Sequence, residues 1–110
     1  MAQSATIDAQ AAVLTLINVY EVAPERQAEL LAALSEATES SIRHQSGFIS
    51  VCLHGSFDGT KVVNYAQWAS KEHLDAFLGR PETQEQLKRF AAIARSVAPS
   101  PCKVVAVHAA

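Results

Sequence analysis

The chain has little of what nucleotide-binding, metal-binding and membrane proteins depend on. Its 110 residues include four glycines, and none of them builds a G-x-G-x-x-G, a P-loop or a G-x-S-x-G. A phosphate-cradling loop or a nucleophile elbow is therefore not expected, nor is a bound nucleotide or flavin. The four histidines, His44, His54, His73 and His108, are scattered, with no HExxH, C-x-x-C or His-x-His pattern; no metal is expected. The two cysteines, Cys52 and Cys102, fall in different expected strands and are expected to be free thiols that pack as small apolar groups. Nine basic residues face eleven acidic ones, for a net charge of −2, and no basic cluster occurs. That balance provides no footprint for nucleic acid or an anionic membrane. No apolar run approaches the ~20 residues that span a bilayer. Met1–Gln10 lacks the basic and apolar regions of a signal peptide, so a cytoplasmic protein is expected.

What is present is a core-forming composition, 49% hydrophobic, in a length that suits one domain. Residues 1–11 are polar, alanine-rich and aperiodic, and read as a flexible N-terminal tail; residues 12–110 read as a single domain. A domain this small gains from burial against a second subunit.

Ala12–Tyr20 alternates as a first strand, with Leu14, Leu16, Asn18 and Tyr20 on one face. Pro24 suits the first turn of a helix, and Leu30, Leu31, Leu34, Ala37 and Ile42 carry its period to about His44, just before Gly47. Phe48–Ser56 is a second strand. Asp58-Gly59 marks a hairpin turn, and the third strand follows to Trp68. Ser70 fits an N-cap, with Leu74, Phe77 and Leu78 as the apolar stripe. Gly79 and Pro81 divide the second helical region in two. Leu87, Phe90, Ala91, Ala94 and Val97 are expected on the buried face of its second piece. Pro99-Ser100-Pro101 is expected to break that helix, with a last strand over Cys102–His108.

The order β-α-β-β-α-β predicts an α+β, ferredoxin-like antiparallel sheet with helices on one face. The other face, with Val13, Ile17, Cys52, Val63 and Tyr65, is too apolar for water. A homodimer with sheets packed face to face is the economical cover.

In the third strand Val62, Asn64, Ala66 and Trp68 share a face. A mid-strand asparagine is disfavoured by β-propensity, and a buried amide needs partners for up to four hydrogen bonds. Asn64 is either a structural amide bonded to backbone or a ligand-binding group. Trp68, the single tryptophan, is either a large core residue or a ring for stacking on a ligand. In a ferredoxin-like sheet the first and third strands are neighbours, so Asn18 can face the same pocket as Asn64. Val51 and Leu53 of the second strand, Val62 of the third, and Leu74 and Phe77 of the following helix are the expected pocket walls. A two-residue loop at Asp58-Gly59 places Leu53 opposite Asn64 and Ile49 opposite Trp68; a three-residue loop with a glycine bulge places Cys52 there instead. The first is preferred because it puts apolar residues beside the amide and the indole. Two amides and an indole in an apolar cavity suit a flat aromatic ligand bearing oxygen.

Asp58-Gly59-Thr60 followed by Asn64-Tyr65-Ala66-Gln67-Trp68 resembles the third strand of the antibiotic biosynthesis monooxygenase family, and most of all its cofactor-independent anthrone oxygenases. The resemblance extends by pattern over about Leu14 to Val107. It implies a dimeric α+β barrel and a cofactor-independent monooxygenase that oxidises a polycyclic phenol or anthrone to a quinone with O2. It also assigns the catalytic asparagine and tryptophan of an N-x-x-x-W motif to Asn64 and Trp68, and a first-strand asparagine to Asn18. The candidates for a proton acceptor are His54, Tyr65 and Lys88. Two alternatives share the fold. One is a polyketide-binding or cyclase-like protein that does not oxidise its ligand. The other is a haem-degrading monooxygenase, whose ligating histidine this chain lacks at the matching position: Leu78 stands ten residues past Trp68, and His73 comes too early.

Overall fold

The structure is a computed structural model and describes residues 3–110; Met1 and Ala2, part of the expected tail, lie outside the described residues. Four strands, β1 (Leu14–Glu21), β2 (Phe48–Gly55), β3 (Lys61–Trp68) and β4 (Ser96–Cys102), form one sheet in the order β2-β3-β1-β4. Every neighbouring pair is antiparallel. Three helices, α1 (Gln27–Ser40), α2 (Lys71–Leu78) and α3 (Pro81–Ile93), complete the α+β ferredoxin-like order. No helix among the described residues is long and apolar enough to cross a membrane.

The helices share one face because the strands present alternate residues to it. α1 offers Leu30, Ala33, Leu34 and Ala37, a helical stripe, to Tyr20 and Val62, and Phe90 of α3 closes that cluster. α2 sets Leu74 and Phe77 against Ala66 and Trp68 in a second cluster. Each large apolar side chain buried in this way contributes roughly 1.5–3 kcal/mol. Ser70 caps α2 as its sequence suggests: its Oγ accepts from the His73 N–H at 3.2 Å.

The elements depart from expectation in four places. The first helix does not run unbroken from Pro24 to His44. It opens as a 3-10 turn at Pro24–Arg26, breaks at Ser41 (φ −137°, ψ −58°) and resumes as a 3-10 turn at Ile42–His44. The Thr38 and Ser40 hydroxyls donate to the carbonyls four residues back, Leu34 and Glu36, at 2.8 Å, and such back-bonding bends and ends helices. The register of β2 on β3 pairs Leu53 with Asn64, as the shorter loop requires, but a bulge between Phe48 and Ser50 places Phe48, not Ile49, opposite Trp68. Ile49 is left exposed.

The end of the chain differs most. α3 stops at Ile93, Ala94 is extended (ψ 160°), and the last strand is Ser96–Cys102 rather than Cys102–His108. The expected stripe is only partly buried: Phe90 is in the core, but Leu87, Ala91 and Val97 are exposed. The Arg95 N–H donates to the Glu21 carbonyl at 2.7 Å, which turns the chain back beside β1. Pro99 and Pro101, two apart, lack donors on the same side of β4. An edge strand tolerates that on the side turned away from its single neighbour.

The β2–β3 hairpin turns through Phe57–Thr60, with Ser56 and Lys61 bonded across its base at 3.0 Å. Gly59 takes φ +80°, a left-handed conformation that favours glycine. Asp58 Oδ1 accepts from the Thr60 N–H at 2.9 Å and from the Thr60 and Ser56 hydroxyls at 2.7 and 2.8 Å. These bonds, the backbone one first, hold its carboxyl down to about 2 from the usual 3.8. The stabilisation is present above the ordinary carboxylate value and is lost as pH falls from about 3.8 towards about 2. Asp58→Asn keeps the acceptor oxygen but cannot titrate. Urea unfolding is expected to show wild type ahead of this variant at pH 6 and level with it near pH 2. An equal gap at both pH values would remove Asp58 as the cause.

On the opposite sheet face, Gln67 is buried. Its Oε1 accepts from the Ser50 hydroxyl at 2.7 Å and its Nε2 donates to the Thr6 carbonyl at 3.0 Å. Val13, Ile17, Cys52, Val63 and Tyr65 on that face remain half-exposed, and Cys52 and Cys102 are unbridged.

Candidate functional site

Between the sheet and the helices lies a cavity of about 600 Å³. Its floor follows from strand register. β1 and β3 pair Leu14 with Trp68, Leu16 with Ala66, Asn18 with Asn64 and Tyr20 with Val62. β4 adds Pro101 beside Leu16, Pro99 beside Asn18 and Val97 beside Tyr20. The two asparagines are thus direct cross-strand partners, which puts their Cβ atoms about 5 Å apart. Both line the cavity, as does the Tyr20 ring.

Asn64 Oδ1 is buried and accepts no hydrogen bond among the described residues. Leaving such an atom unpaired costs about 1–3 kcal/mol. A structural amide would have found a backbone partner; this one faces a cavity. Trp68 is held differently. It is 2% exposed, stacks on Phe77 with centroids 4.8 Å apart and planes at 26°, and meets Phe48 edge-on at 5.7 Å. The indole is therefore fixed at one end of the floor, with small Ala66 between it and the amide pair.

Asn18, Asn64, Trp68, Val51, Leu74 and Phe77 come together on this cavity. Leu53 and Val62, also expected in its wall, do not line it. Val62 is fully buried in the α1 cluster, and Leu53 packs against that same cluster although it sits beside Asn64 in the sheet. α1 covers that side of the face, so the void opens over β1 and β4 instead. Of the candidate proton acceptors, His54 and Tyr65 pair with Val63 and Cys52 on the opposite face. Lys88 lines the cavity, with its side chain 75% exposed and 3.5 Å from Glu85.

Tyr20, Val97, Pro99 and Pro101 also line the cavity, beyond the residues expected there. Tyr20 carries a signal, since it shares the alternation of Leu14, Leu16 and Asn18. The prolines carry none, because a Pro-Ser-Pro run has the composition of a breaker rather than of an edge strand. Burial pushes the Tyr20 phenol from 10.0 up to about 12, so it stays neutral at physiological pH. The other ionisable groups along the cavity are Lys71, Asp75 and Lys88, all on the helices, with Lys71 and Asp75 paired at 2.7 Å. The floor offers neutral hydrogen-bonding groups in an apolar setting. It can bind, orient and desolvate a flat ligand, and its donors act strongly because water is displaced.

The fold and cavity define a ferredoxin-like α+β protein with a largely apolar pocket between sheet and helices. The antibiotic biosynthesis monooxygenase family matches residues 13–89. Tetracenomycin-F1 monooxygenase of Streptomyces glaucescens is 43% identical over 91 residues, spanning 83% of this chain and 81% of that protein. The chain belongs to the antibiotic biosynthesis monooxygenase family and is an oxidoreductase of the monooxygenase class.

Solved structures agree on the fold. The ActVA-Orf6 monooxygenase of Streptomyces coelicolor, in complex with nanaomycin D, superposes with a TM-score of 0.80 at 23% identity, over 94% of this chain and 96% of that one. SnoaB, a cofactor-independent oxygenase from Streptomyces nogalater, gives 0.76 at 20% identity over 88% and 97%. An anthrone oxidase-like protein gives 0.84 at 25% identity over 90% of this chain, which spans only 42% of that longer one.

Proposed function

We propose that this protein is a cofactor-independent oxygenase that converts a polycyclic phenol or anthrone to a quinone with O2, working as a cytoplasmic homodimer. The observation that carries the reading is the unpaired, buried Asn64 Oδ1 facing an apolar cavity directly across from Asn18. The floor then holds two primary amides where a ligand oxygen can meet them, with the Trp68 ring two positions along the strand from Ala66. The half-exposed apolar face carrying Ile17, Val63 and Tyr65 supports the dimer.

The chemistry needs little from the protein beyond that geometry. An anthrone methylene loses a proton to give an electron-rich enolate, whose oxygen the amides of Asn64 and Asn18 stabilise by donating N–H. The enolate passes one electron to O2. The resulting carbon radical and superoxide combine to a peroxide anion, which takes up a proton in place of the one lost and eliminates water to leave the new carbonyl. In sum, one CH2 and one O2 become one C=O and one H2O. Apolar walls keep water from the anion and hold the ring plane against Trp68.

A second reading has one observation in its favour. Among the described residues no histidine or glutamate lines the cavity, and the one aspartate that does, Asp75, is paired with Lys71. A protein that binds a polyketide without oxidising it would need no base. Oxygen uptake by the metal-stripped protein with dithranol, a model anthrone, separates the two. Uptake well above the spontaneous rate, with one O2 consumed per quinone formed, is expected. Uptake no faster than the spontaneous rate, together with quenching of Trp68 fluorescence, would favour the binding role.

A further inference from the structure

Tyr20 stands one step along β1 from Asn18 on the cavity floor, paired with Val62 on one side and Val97 on the other. It is 3% exposed and belongs to the α1 cluster, yet its ring lines the cavity. Phenylalanine would fill the same volume without burying a hydroxyl. Burial is the sole cause of the rise in its pKa, with no hydrogen bond contributing. Among the described residues the side-chain polar atoms sealed off without a partner are Thr15 Oγ1 and Asn64 Oδ1, so the Tyr20 oxygen is not among the sealed ones. The cavity that this residue lines is a space open to it.

We propose that Tyr20 is a specificity-determining residue whose phenol donates a hydrogen bond to a second oxygen of the ligand, on a ring beyond the one held by Asn18 and Asn64. This rests on the proposed function and deepens it by naming a ligand feature. Two residues along a strand span about 7 Å, roughly the reach of two to three linearly fused six-membered rings. The favoured ligand is therefore a linear polycycle with a hydroxyl or carbonyl on an outer ring as well as the oxygen of the reacting ring. Because the phenol is neutral at physiological pH, it serves as a donor and not as a charged partner, and it discriminates by the presence of an acceptor. A site that offers a hydrogen bond rejects the analogue that cannot use it.

The test uses 2-hydroxyanthraquinone and anthraquinone, which differ by the only outer-ring oxygen, titrated against Trp68 fluorescence in wild type and Tyr20→Phe. Wild type is expected to bind 2-hydroxyanthraquinone about ten-fold more tightly than anthraquinone, and Tyr20→Phe to bind the two within about two-fold. The unliganded variant is expected to melt within a few degrees of wild type, since the ring that packs in the α1 cluster is kept. A purely structural tyrosine would instead lower the melting temperature and weaken both ligands alike. Retention of the preference for 2-hydroxyanthraquinone in Tyr20→Phe overturns the proposal, and so does the absence of any preference, or of any binding, in wild type. Dithranol uptake measured in parallel keeps the two readings apart. If uptake persists while the preference fails, Tyr20 alone is misassigned; if the preference holds without uptake, the oxygenase reading fails and the binding assignment stands.

Discussion

Asn64→Ala is expected to lower the catalysed rate of oxygen uptake by about a hundred-fold or more while leaving the fold intact. Removing one preorganised donor from an oxyanion-type site typically reduces turnover by that order. The Asn64 amide is placed to act this way because register aligns it with Asn18, and its Oδ1 accepts nothing from the protein. The same absence of partners predicts the stability result. An amide that makes no internal hydrogen bond at that oxygen leaves no orphan behind when it is removed. Replacing a buried unpaired polar group by an apolar one is near neutral or stabilising. The melting temperature should therefore stay within a few degrees of wild type. A fall in activity that tracks a large fall in melting temperature would make Asn64 a structural amide instead. Unchanged uptake in a stable variant would remove it from the site altogether.

Asn18→Ala should produce a smaller loss of the same kind, and the double variant should lose less than the product of the two single effects. Residues that hold one oxygen together act as a unit and are not additive. Asn64→Asp makes a sharper comparison, because it is isosteric and can still accept. A carboxylate beside a developing enolate repels it, so uptake should fall at least as far as in Asn64→Ala. Only loss of the amide donor, not loss of volume, explains both variants.

The site was legible in the sequence wherever local pattern and topology determined it together. Alternation put Asn64 and Trp68 on one face, and the βαββαβ order made β1 and β3 neighbours, so Asn18 could be expected to face the same pocket as Asn64; the register that pairs them directly comes from the structure. Which part of that face stays open was not legible. α1 settles over Val62 and Leu53, burying the first in the core and packing against the second, while α3 leaves room above Asn18 and Tyr20. That choice depends on helix packing between residues far apart in sequence, such as Arg26, whose guanidinium donates to the Ala92 carbonyl at 3.3 Å. The last strand was displaced for a related reason. Pro99-Ser100-Pro101 has the composition of a breaker, and only the proximity of Glu21, which accepts from Arg95, makes it an edge strand. The bulge that exposes Ile49 and pairs Phe48 with Trp68 has no local signal either. It is favoured by the aromatic contact it creates, which fixes the indole edge-on.

Gly47→Ala should be the most damaging small substitution outside the cavity, lowering stability by on the order of 3 kcal/mol. Gly47 lies at φ +83°, where a side chain is disfavoured. A Cβ added there would also fall on Cβ and Cγ of His73. The ring cannot swing aside freely, because its Nδ1 lies 2.7 Å from the Ser70 hydroxyl that caps α2. The Gly47 carbonyl in turn accepts from the Ala69 N–H at 2.8 Å, so this loop seats the junction between β3 and α2. α2 carries Leu74 and Phe77 into the cavity wall, and Phe77 stacks on Trp68. A shift at Gly47 is thereby transmitted to the site. The melting temperature is expected to fall by about 10–20 °C, and 2-hydroxyanthraquinone to quench Trp68 less steeply even well below the melt. In Gly47→Ala/His73→Ala, which trims the ring but keeps its Cβ, the two effects should add to less than their sum because the residues share one contact. Wild-type melting and wild-type affinity in Gly47→Ala would show that α2 is seated by the Ser70 cap and its own apolar stripe alone.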